Sequence, residues 1–293
     1  MNIVTYKSWF IGIAIAMVIG SVFLVSHFGI KKGIDFTGGT VIEINYATST
    51  VQQIDTVMLA DKGVKAFPMS ATTYKFISQK SFEETSAVLS SSLDKVKFPY
   101  TVTQVNTVGP TMGKEMTNKA VIAIVFVVIA ILCFIAFAFR EVSLPVESWK
   151  YAVVAMVTIV HDIIIPTGVY AFLSFKYGAE IDTLFVVALL TVMAVTISDK
   201  IVVFDRIREN LKVQGTKKPF DTIVGESLTQ TFARSINTSL ATVLSLVALY
   251  FYGPESTRFF ALTLMVGLVV GTYSSIFVAS PLLTIWNSKK GKK

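Results

Sequence analysis

The chain has 293 residues, of which 53% are hydrophobic and only 15% are charged, and its formal net charge is +7. Its mean hydropathy of +0.65 is well above that of water-soluble domains and indicates an integral membrane protein. The basic residues lie mainly in short loops, which argues against nucleic acid as a partner. One cysteine and two histidines form neither an internal disulfide nor a good zinc set, so no metal site is predicted.

Six segments are long and apolar enough to cross a membrane, for which about 20 residues are needed. We predict spans at Trp9–Phe28, Ala120–Phe139, Tyr151–Phe175, Ile181–Phe204, Ser235–Tyr252 and Phe259–Trp286. No small-residue cleavage site follows the first span, so we interpret it as an uncleaved anchor. The predicted fold class is a polytopic α-helical membrane protein, with one span in residues 1–29 and a five-helix bundle in residues 120–293.

Lysine and arginine residues mark one side of the membrane. They occur before the first span, between the second and third, between the fourth and fifth, and after the sixth. The opposite short loops carry only Lys176 and Arg258. The positive-inside rule therefore predicts that both termini are cytoplasmic.

Residues 30–119 are predicted to fold as a small extracytoplasmic α+β domain between the first two spans. Alternating runs predict strands at Thr40–Tyr46, Thr73–Ile77 and Tyr100–Val105. Helices are predicted at residues 51–59 and 81–96, the second opened by a capping box. The βαβαβ-like order favours a compact ferredoxin-like or split-βαβ module. A domain this small buries a modest core, so we expect it to lean on a partner.

Ionisable side chains inside the spans are the candidate functional residues, because each costs roughly 2.5–3.5 kcal/mol to insert. His161 and Asp162 lie in the third span, Asp199 in the fourth and Arg234 at the start of the fifth. Asp199 and Arg234 are predicted at similar depth near the cytoplasmic side, where they would face each other as an ion pair. His161 by itself is also compatible with a hydrogen-bonded buried histidine.

Polar residues of the fifth span recur at spacings of three and four and therefore share one helical face. They are Arg234, Asn237, Thr238, Thr242 and Ser245. Such a face is costly against lipid, so it contacts a partner helix or lines a wet pathway, and both alternatives stay open. In the sixth span, small residues recur every four positions and predict close helix packing. They are Gly267, Gly271, Ser275 and Ala279.

Two features outside the apolar segments are also candidates. The cytoplasmic link after the fourth span is either a solvated helix end with internal ion pairs or a docking or gating element. Its charged residues are Asp205, Arg206, Arg208 and Glu209. The two connections between the domain and the membrane contain Gly38-Gly39 and Gly109-Pro110. We interpret them as stalk hinges, with simple tight turns as the alternative.

Several motifs resemble one known family. Residues 33–40, GIDFTGGT, are similar to the signature shared by the SecD and SecF protein-export membrane subunits. Residues 203–210, VFDRIREN, resemble the element after the fourth span of the SecF branch, and residues 271–281, GTYSSIFVASP, resemble its sixth span. Val108-Gly109-Pro110 and His161-Asp162 also fit. The resemblance covers nearly the whole chain and implies a multi-pass protein of the bacterial cell (inner) membrane that takes part in Sec-dependent protein transport.

The resemblance also implies partners and a coupling ion. Members pair with SecD, which supplies a further membrane aspartate, and they associate with the SecYEG channel, membrane lipid and an unfolded polypeptide in transit. They use the proton or sodium motive force for late steps of export, with no cofactor besides the H⁺ or Na⁺ ion. The family's coupling aspartate and arginine fall on Asp199 and Arg234. With Asp162, His161, Asn237 and Thr238, these form the predicted ion-coupling site.

The chain departs from the family pattern at Lys200, a second cation directly after Asp199. Lys200 either extends to the cytoplasmic surface or neutralises Asp199. Two other functions stay open: half of a small-molecule exporter of the related resistance-nodulation-division superfamily, and a structural assembly subunit without ion coupling. No nucleophile–base pair is visible in the sequence, so enzymatic activity is not expected.

Overall fold

The computed structural model describes residues 4–46, 62–69, 72–93, 100–138, 147–214 and 217–288. These residues contain six helices that are long and apolar enough to cross a membrane, which confirms the predicted number of spans. The first five are Lys7–Phe28, Pro110–Ala138, Ser148–Tyr177, Thr183–Gln214 and Phe220–Tyr252. The sixth span follows a 3₁₀ turn at Glu255–Thr257 and consists of Arg258–Ser274, a π-helical turn at Ser275–Ala279, and Ser280–Ser288.

The fourth and fifth spans extend beyond their apolar segments. The fourth helix runs on through the predicted cytoplasmic link to Gln214, and the fifth begins at Phe220 rather than at Ser235. Charged residues three apart stabilise the extension, because Arg206 lies 2.6 Å from Glu209 and Arg208 lies 3.0 Å from Asp205. The helix and its internal ion pairs agree with the first interpretation of the link, and a docking or gating function stays a prediction. Hydropathy marks only the apolar part of a helix, so both helices were predicted to be shorter than they are.

The chain divides into two compact units. The first comprises Met1–Gly29, Ala123–Phe172 and Val187–Lys293. The second comprises Ile30–Ile122 and Leu173–Val186, and is called the domain unit below. It therefore contains the small domain together with the end of the third span, the start of the fourth, and the loop between them.

A four-stranded antiparallel sheet forms the centre of the domain unit. Its strands are β1 at Gly39–Tyr46, β2 at Val64–Pro68, β3 at Thr73–Ser78 and β4 at Tyr100–Val108. The order across the sheet is β2-β3-β1-β4, and a helix at Phe82–Leu93 lies between β3 and β4 in the chain. This arrangement confirms the α+β fold class and fits a ferredoxin-like module. The predicted helix at residues 51–59 lies outside the described residues.

Strand β2 was missed by the sequence analysis, which predicted three strands rather than four. Its five residues include Lys65 and end at Pro68, so they lack the alternation that marked the other strands. Proline is tolerated here because β2 lies at the edge of the sheet, where an N–H donor is not required on the outer side. The inner face is apolar, and Val64 packs with Ile42, Ile44 and Phe76 in a buried cluster.

In the membrane unit, the third, fourth and sixth spans are the most buried, whereas the first, second and fifth expose most of their surface. The sixth span approaches the fourth closely through its small residues. A methyl group added at Gly267 would overlap Val192, and one added at Gly271 would overlap Thr196. This contact confirms the predicted close packing of the small-residue face and brings the fourth and sixth spans together around the candidate site.

Candidate ion-coupling site

Asp199 of the fourth span is partly buried, and two hydroxyl groups hold its carboxylate. Ser235 Oγ of the fifth span donates a hydrogen bond to Oδ1 at 2.7 Å, and Ser275 Oγ of the sixth span donates to Oδ2 at 2.6 Å. The ion pairs found among the described residues do not include Asp199. Neutral hydroxyls stabilise a carboxylate less than a cation does, so the charge of Asp199 is solvated but not cancelled.

The sixth span presents Ser275 at the first residue of its π-helical turn. A π turn changes the backbone hydrogen-bond pattern locally, and such turns are frequent at functional sites. One turn earlier, the hydroxyl groups of Ser239 and Thr272 form a short hydrogen bond between the fifth and sixth spans. The carboxylate thus lies where three spans exchange polar contacts.

A second charged group joins the third and fourth spans. Lys200 Nζ lies 2.5 Å from Asp162 Oδ2, and both side chains are 0% exposed. His161 Nδ1 lies 3.0 Å from the other Asp162 oxygen. The His161 ring is buried, and within the described part of the chain its Nε2 has no hydrogen-bond partner. The arrangement is a buried ion pair extended by an imidazole.

The position of Lys200 differs from both alternatives considered from the sequence. Its side chain neither reaches the surface nor pairs with Asp199. Neighbouring residues on an α-helix point about 100° apart. Asp199 therefore faces the fifth and sixth spans, while Lys200 faces Asp162 on the third span.

The predicted ion pair between Asp199 and Arg234 is not formed among the described residues. Arg234 is exposed, and the next residue, Ser235, occupies the position facing Asp199. Arg234 instead lines a cavity of about 310 Å³ together with Asp205, Arg206 and Glu209. The sequence analysis compared the depths of the two residues but had no measure of their direction around the helix axis. The hydrogen bond between Ser235 and Asp199 therefore corrects the predicted ion pair between Asp199 and Arg234.

The remaining predicted site residues are separated from Asp199. Asn237 and Thr238 are exposed on the fifth span, as is Arg234. The structure therefore brings His161 and Asp162 together with Lys200, and Asp199 with two serines that were not predicted as its partners. Ser235 falls outside the polar stripe, and Ser275 was counted only as a small packing residue. Ser275 lies four residues after Gly271, which faces the fourth span, and this spacing is the sequence signal that could have indicated its contact with Asp199.

The two predicted stalk hinges contact each other within the domain unit. Gly38 and Gly39 have φ angles of 77° and 134°, which favour glycine. A Cβ atom at Gly38 would lie 2.8 Å from the Cα atom of Pro110, which begins the second span. In the same motif, Asp35 Oδ2 accepts hydrogen bonds from Thr183 N at 2.9 Å and Thr183 Oγ1 at 2.7 Å. The hinge function of these connections stays a prediction.

Sequence comparisons match both parts of this architecture. The family profile described as "Protein export membrane protein SecD/SecF, C-terminal" matches residues 88–289, and "SecD/SecF GG Motif" matches residues 23–50. The protein translocase subunit SecF of Thermobaculum terrenum is 36% identical, over 99% of this chain and 95% of that protein. The SecF of Anaerolinea thermophila is 34% identical, over 98% of this chain and 94% of its own length. The chain belongs to the SecF family of protein translocase subunits.

A solved structure shows the same fold in a longer SecF relative. The crystal structure of SecDF from Thermus thermophilus, described as a translocon-associated membrane protein, superposes with a TM-score of 0.83 at 30% identity. The match covers 98% of this chain but only 39% of the SecDF chain, so this SecF family member spans about two fifths of the length of that protein. The family resemblance predicted from the motifs is confirmed, and the chain is a multi-pass membrane protein.

Proposed function

We propose that this chain is the SecF subunit that pairs with SecD and uses an ion gradient to drive late steps of protein export. One observation carries the proposal. The carboxylate of Asp199 lies in the fourth span, and its hydrogen-bond partners among the described residues are the hydroxyl groups of Ser235 and Ser275 on two other spans. An acidic group in a span costs roughly 2.5–3.5 kcal/mol on insertion scales, so a group whose charge is not cancelled points to a function that uses the charge.

Taking up a proton or a sodium ion changes the contacts of Asp199. The ionised carboxylate accepts hydrogen bonds from both serines, whereas a protonated carboxyl group must donate one of its own. Ser235 or Ser275 then has to rotate or move away, and these residues belong to different spans. The change in charge therefore becomes a change in packing between the fourth, fifth and sixth spans. Ion uptake thus acts through the two serines and not through the predicted ion pair between Asp199 and Arg234.

The exposed polar face of the fifth span is an argument for a partner subunit that binds there. Arg234, Asn237 and Thr238 are exposed in the described part of the chain, and polar side chains on a span are unfavourable against lipid. We assign SecD to this face, where it supplies a carboxylate for Arg234. The Thermus thermophilus SecDF chain is more than twice as long as its matching part, which leaves room for such a subunit.

The same proposal assigns the location and the route of the motion. Both termini are cytoplasmic, the membrane is the bacterial inner membrane, and the small domain lies on the outer side. The packing change in the bundle reaches the domain through Gly38-Gly39 and Gly109-Pro110. The domain then holds or releases an unfolded polypeptide that emerges from the SecYEG channel.

Two substitutions at one position test ion coupling. Asp199→Asn keeps the size of the side chain, removes its charge and replaces one acceptor oxygen with an N–H donor, as protonation would. Asp199→Glu keeps the charge. Inverted membrane vesicles containing the chain and SecD would translocate a preprotein with and without proton and sodium ionophores. We expect Asp199→Asn to lose the ionophore-sensitive part of translocation and Asp199→Glu to retain part of it. Ser198→Ala changes an exposed neighbouring residue and should behave as wild type.

The ionophore that reduces translocation identifies the coupling ion. Co-purification with tagged SecD tests the partner separately and should be equal for all three variants. Undiminished ionophore-sensitive export by Asp199→Asn would refute the coupling mechanism and leave a structural assembly subunit as the better explanation. Failure of the wild-type chain to co-purify with SecD would refute the partner assignment.

A further inference from the structure

The domain unit contains a cavity of about 680 Å³ that is lined by basic side chains. We call it the lysine cavity, and its charged lining residues are Lys31, Lys32, Lys65, Lys80 and Glu180. Its volume is within the range of small-ligand sites. None of these residues belongs to the ion-coupling site. The domain as a whole is nearly neutral by sequence, so the convergence of four lysines on one cavity is a local feature of the fold.

One wall of the lysine cavity is formed by segments that directly follow two spans. Lys31 is three residues beyond Phe28, the last residue of the first span, and Glu180 is three residues beyond Tyr177, the last of the third. A chain of three residues reaches at most about 11 Å, so both residues lie near the ends of their spans. Backbone hydrogen bonds join the two segments, from Gly33 N to Ile181 O at 2.7 Å and from Ile181 N to Lys31 O at 2.8 Å.

The sheet forms the opposite wall. Lys65 lies on β2, and Lys80 follows β3, where Val64 pairs with Ser78 in the antiparallel register. The backbone at Lys80 is fixed because Thr40 Oγ1 donates a hydrogen bond to its carbonyl oxygen at 3.0 Å. Lysines therefore approach the cavity both from the membrane junction and from the sheet.

The charge of the lysine cavity favours an anion. Four lysines face one carboxylate in the lining, and the ion pairs found among the described residues are made by other side chains. Glu180 is the single acidic residue in the lining. Burial raises the pKa of Glu180, although Lys75, Lys65 and Lys31 act in the opposite direction.

We infer that the lysine cavity binds the phosphate headgroup of an anionic phospholipid from the membrane leaflet next to the domain. The membrane surface supplies such headgroups at high local concentration, and each lysine near that surface adds to the attraction for anionic lipid. The bound lipid contacts the sheet and the two hydrogen-bonded segments of the domain unit that contain Lys31 and Glu180. The site is independent of Asp199, so it stands or falls separately from the ion-coupling proposal.

Lipid retention by the full-length chain tests the inference. The protein would be placed in nanodiscs containing equal amounts of phosphatidylglycerol and phosphatidylcholine and released for native mass spectrometry. We expect wild type to retain phosphatidylglycerol preferentially. The variant Lys32→Gln/Lys80→Gln, which removes one lysine from each wall, should retain about thirtyfold less. The matched control Lys62→Gln/Lys114→Gln removes two lysines of the same unit that do not line the cavity, and should behave as wild type.

A third variant and a competitor complete the test. Glu180→Gln should increase phosphatidylglycerol retention at neutral pH, because it removes the opposing carboxylate. Equal retention of both lipids by wild type would overturn the inference, as would equal loss of phosphatidylglycerol in the cavity and control variants. Displacement of the lipid by millimolar inorganic phosphate would also overturn it, since the site would then recognise free phosphate.

Discussion

Breaking the buried ion pair between Lys200 and Asp162 should strongly destabilise the membrane unit. Replacing Lys200 with Met leaves the Asp162 carboxylate buried, 0% exposed, without its cation. Removing one partner of a buried ion pair typically costs about 3–5 kcal/mol, because the other charge remains desolvated. His161, 3.0 Å from Asp162, offers only a partial replacement. We therefore expect Lys200→Met to lower the free energy of unfolding by about 3–5 kcal/mol, and Asp162→Leu to lower it by a similar amount.

The double variant Lys200→Met/Asp162→Leu separates the ion pair from loss of packing. Replacing both charged residues with apolar ones of similar volume is often neutral or stabilising, so the double variant should recover most of the stability lost by either single variant. Thermal unfolding of the detergent-solubilised chain measures the effect, and each single variant should unfold on the order of 10 °C lower. Lys212→Met changes an exposed lysine of the same helix and serves as the control.

Two results would refute this reasoning. Single variants as stable as Lys212→Met would show that the ion pair is not formed, and a double variant no more stable than the worse single one would show that the charges are not coupled. The double variant also tests the predicted ion-coupling function of Asp162. If it retains ionophore-sensitive export, Asp162 and Lys200 have a structural function only, and Asp199 is the coupling group.

Three further predictions concern other contacts. Gly271→Ala should destabilise the membrane unit by about 1–3 kcal/mol, because the added methyl group overlaps Thr196. The control Gly12→Ala adds a methyl group that meets no atom within 4 Å, so its thermal unfolding should be closer to that of wild type. Asp35→Ala removes two hydrogen bonds to Thr183 and should cost about 1.5–3 kcal/mol, seen as faster hydrogen exchange at the start of the fourth span. The raised pKa of Glu180 contributes stability that is full below its ordinary value of 4.5 and is lost as pH rises through the folded-state value. Protease resistance of the domain against pH should therefore fall less steeply in Glu180→Gln.

Hydropathy and alternation predicted the architecture because both report burial directly. The six apolar segments form six helices in the structure, and the three strands predicted from alternation are present. Strand β2 was missed since an edge strand of five residues carries little pattern. The helix ends were also missed: residues 205–214 are helical in a charged segment, where ion pairs rather than apolar length stabilise the helix.

The candidate site was predicted in its residues but not in its pairings. The cost of a charge in a span identified Asp199, Asp162 and His161 without any structure. Depth along the membrane then suggested Arg234 as the partner of Asp199, but a shift of one position turns a side chain by about 100° and places Ser235 there instead. The contact between Lys200 and Asp162 joins residues 38 apart on different helices, which the periodicity of one helix does not reveal.

Strand β4 has a practical consequence for work on the domain by itself. It forms one edge of the sheet, its nine residues include no charge and no proline, and seven of them are exposed. Edge strands without such protective residues pair readily with strands of other molecules. A recombinant fragment would tend to self-associate through this edge, and its dimers would compete with any peptide added in a binding assay. Val105→Lys, at an exposed position in the middle of β4, should keep the fragment monomeric and the assay interpretable.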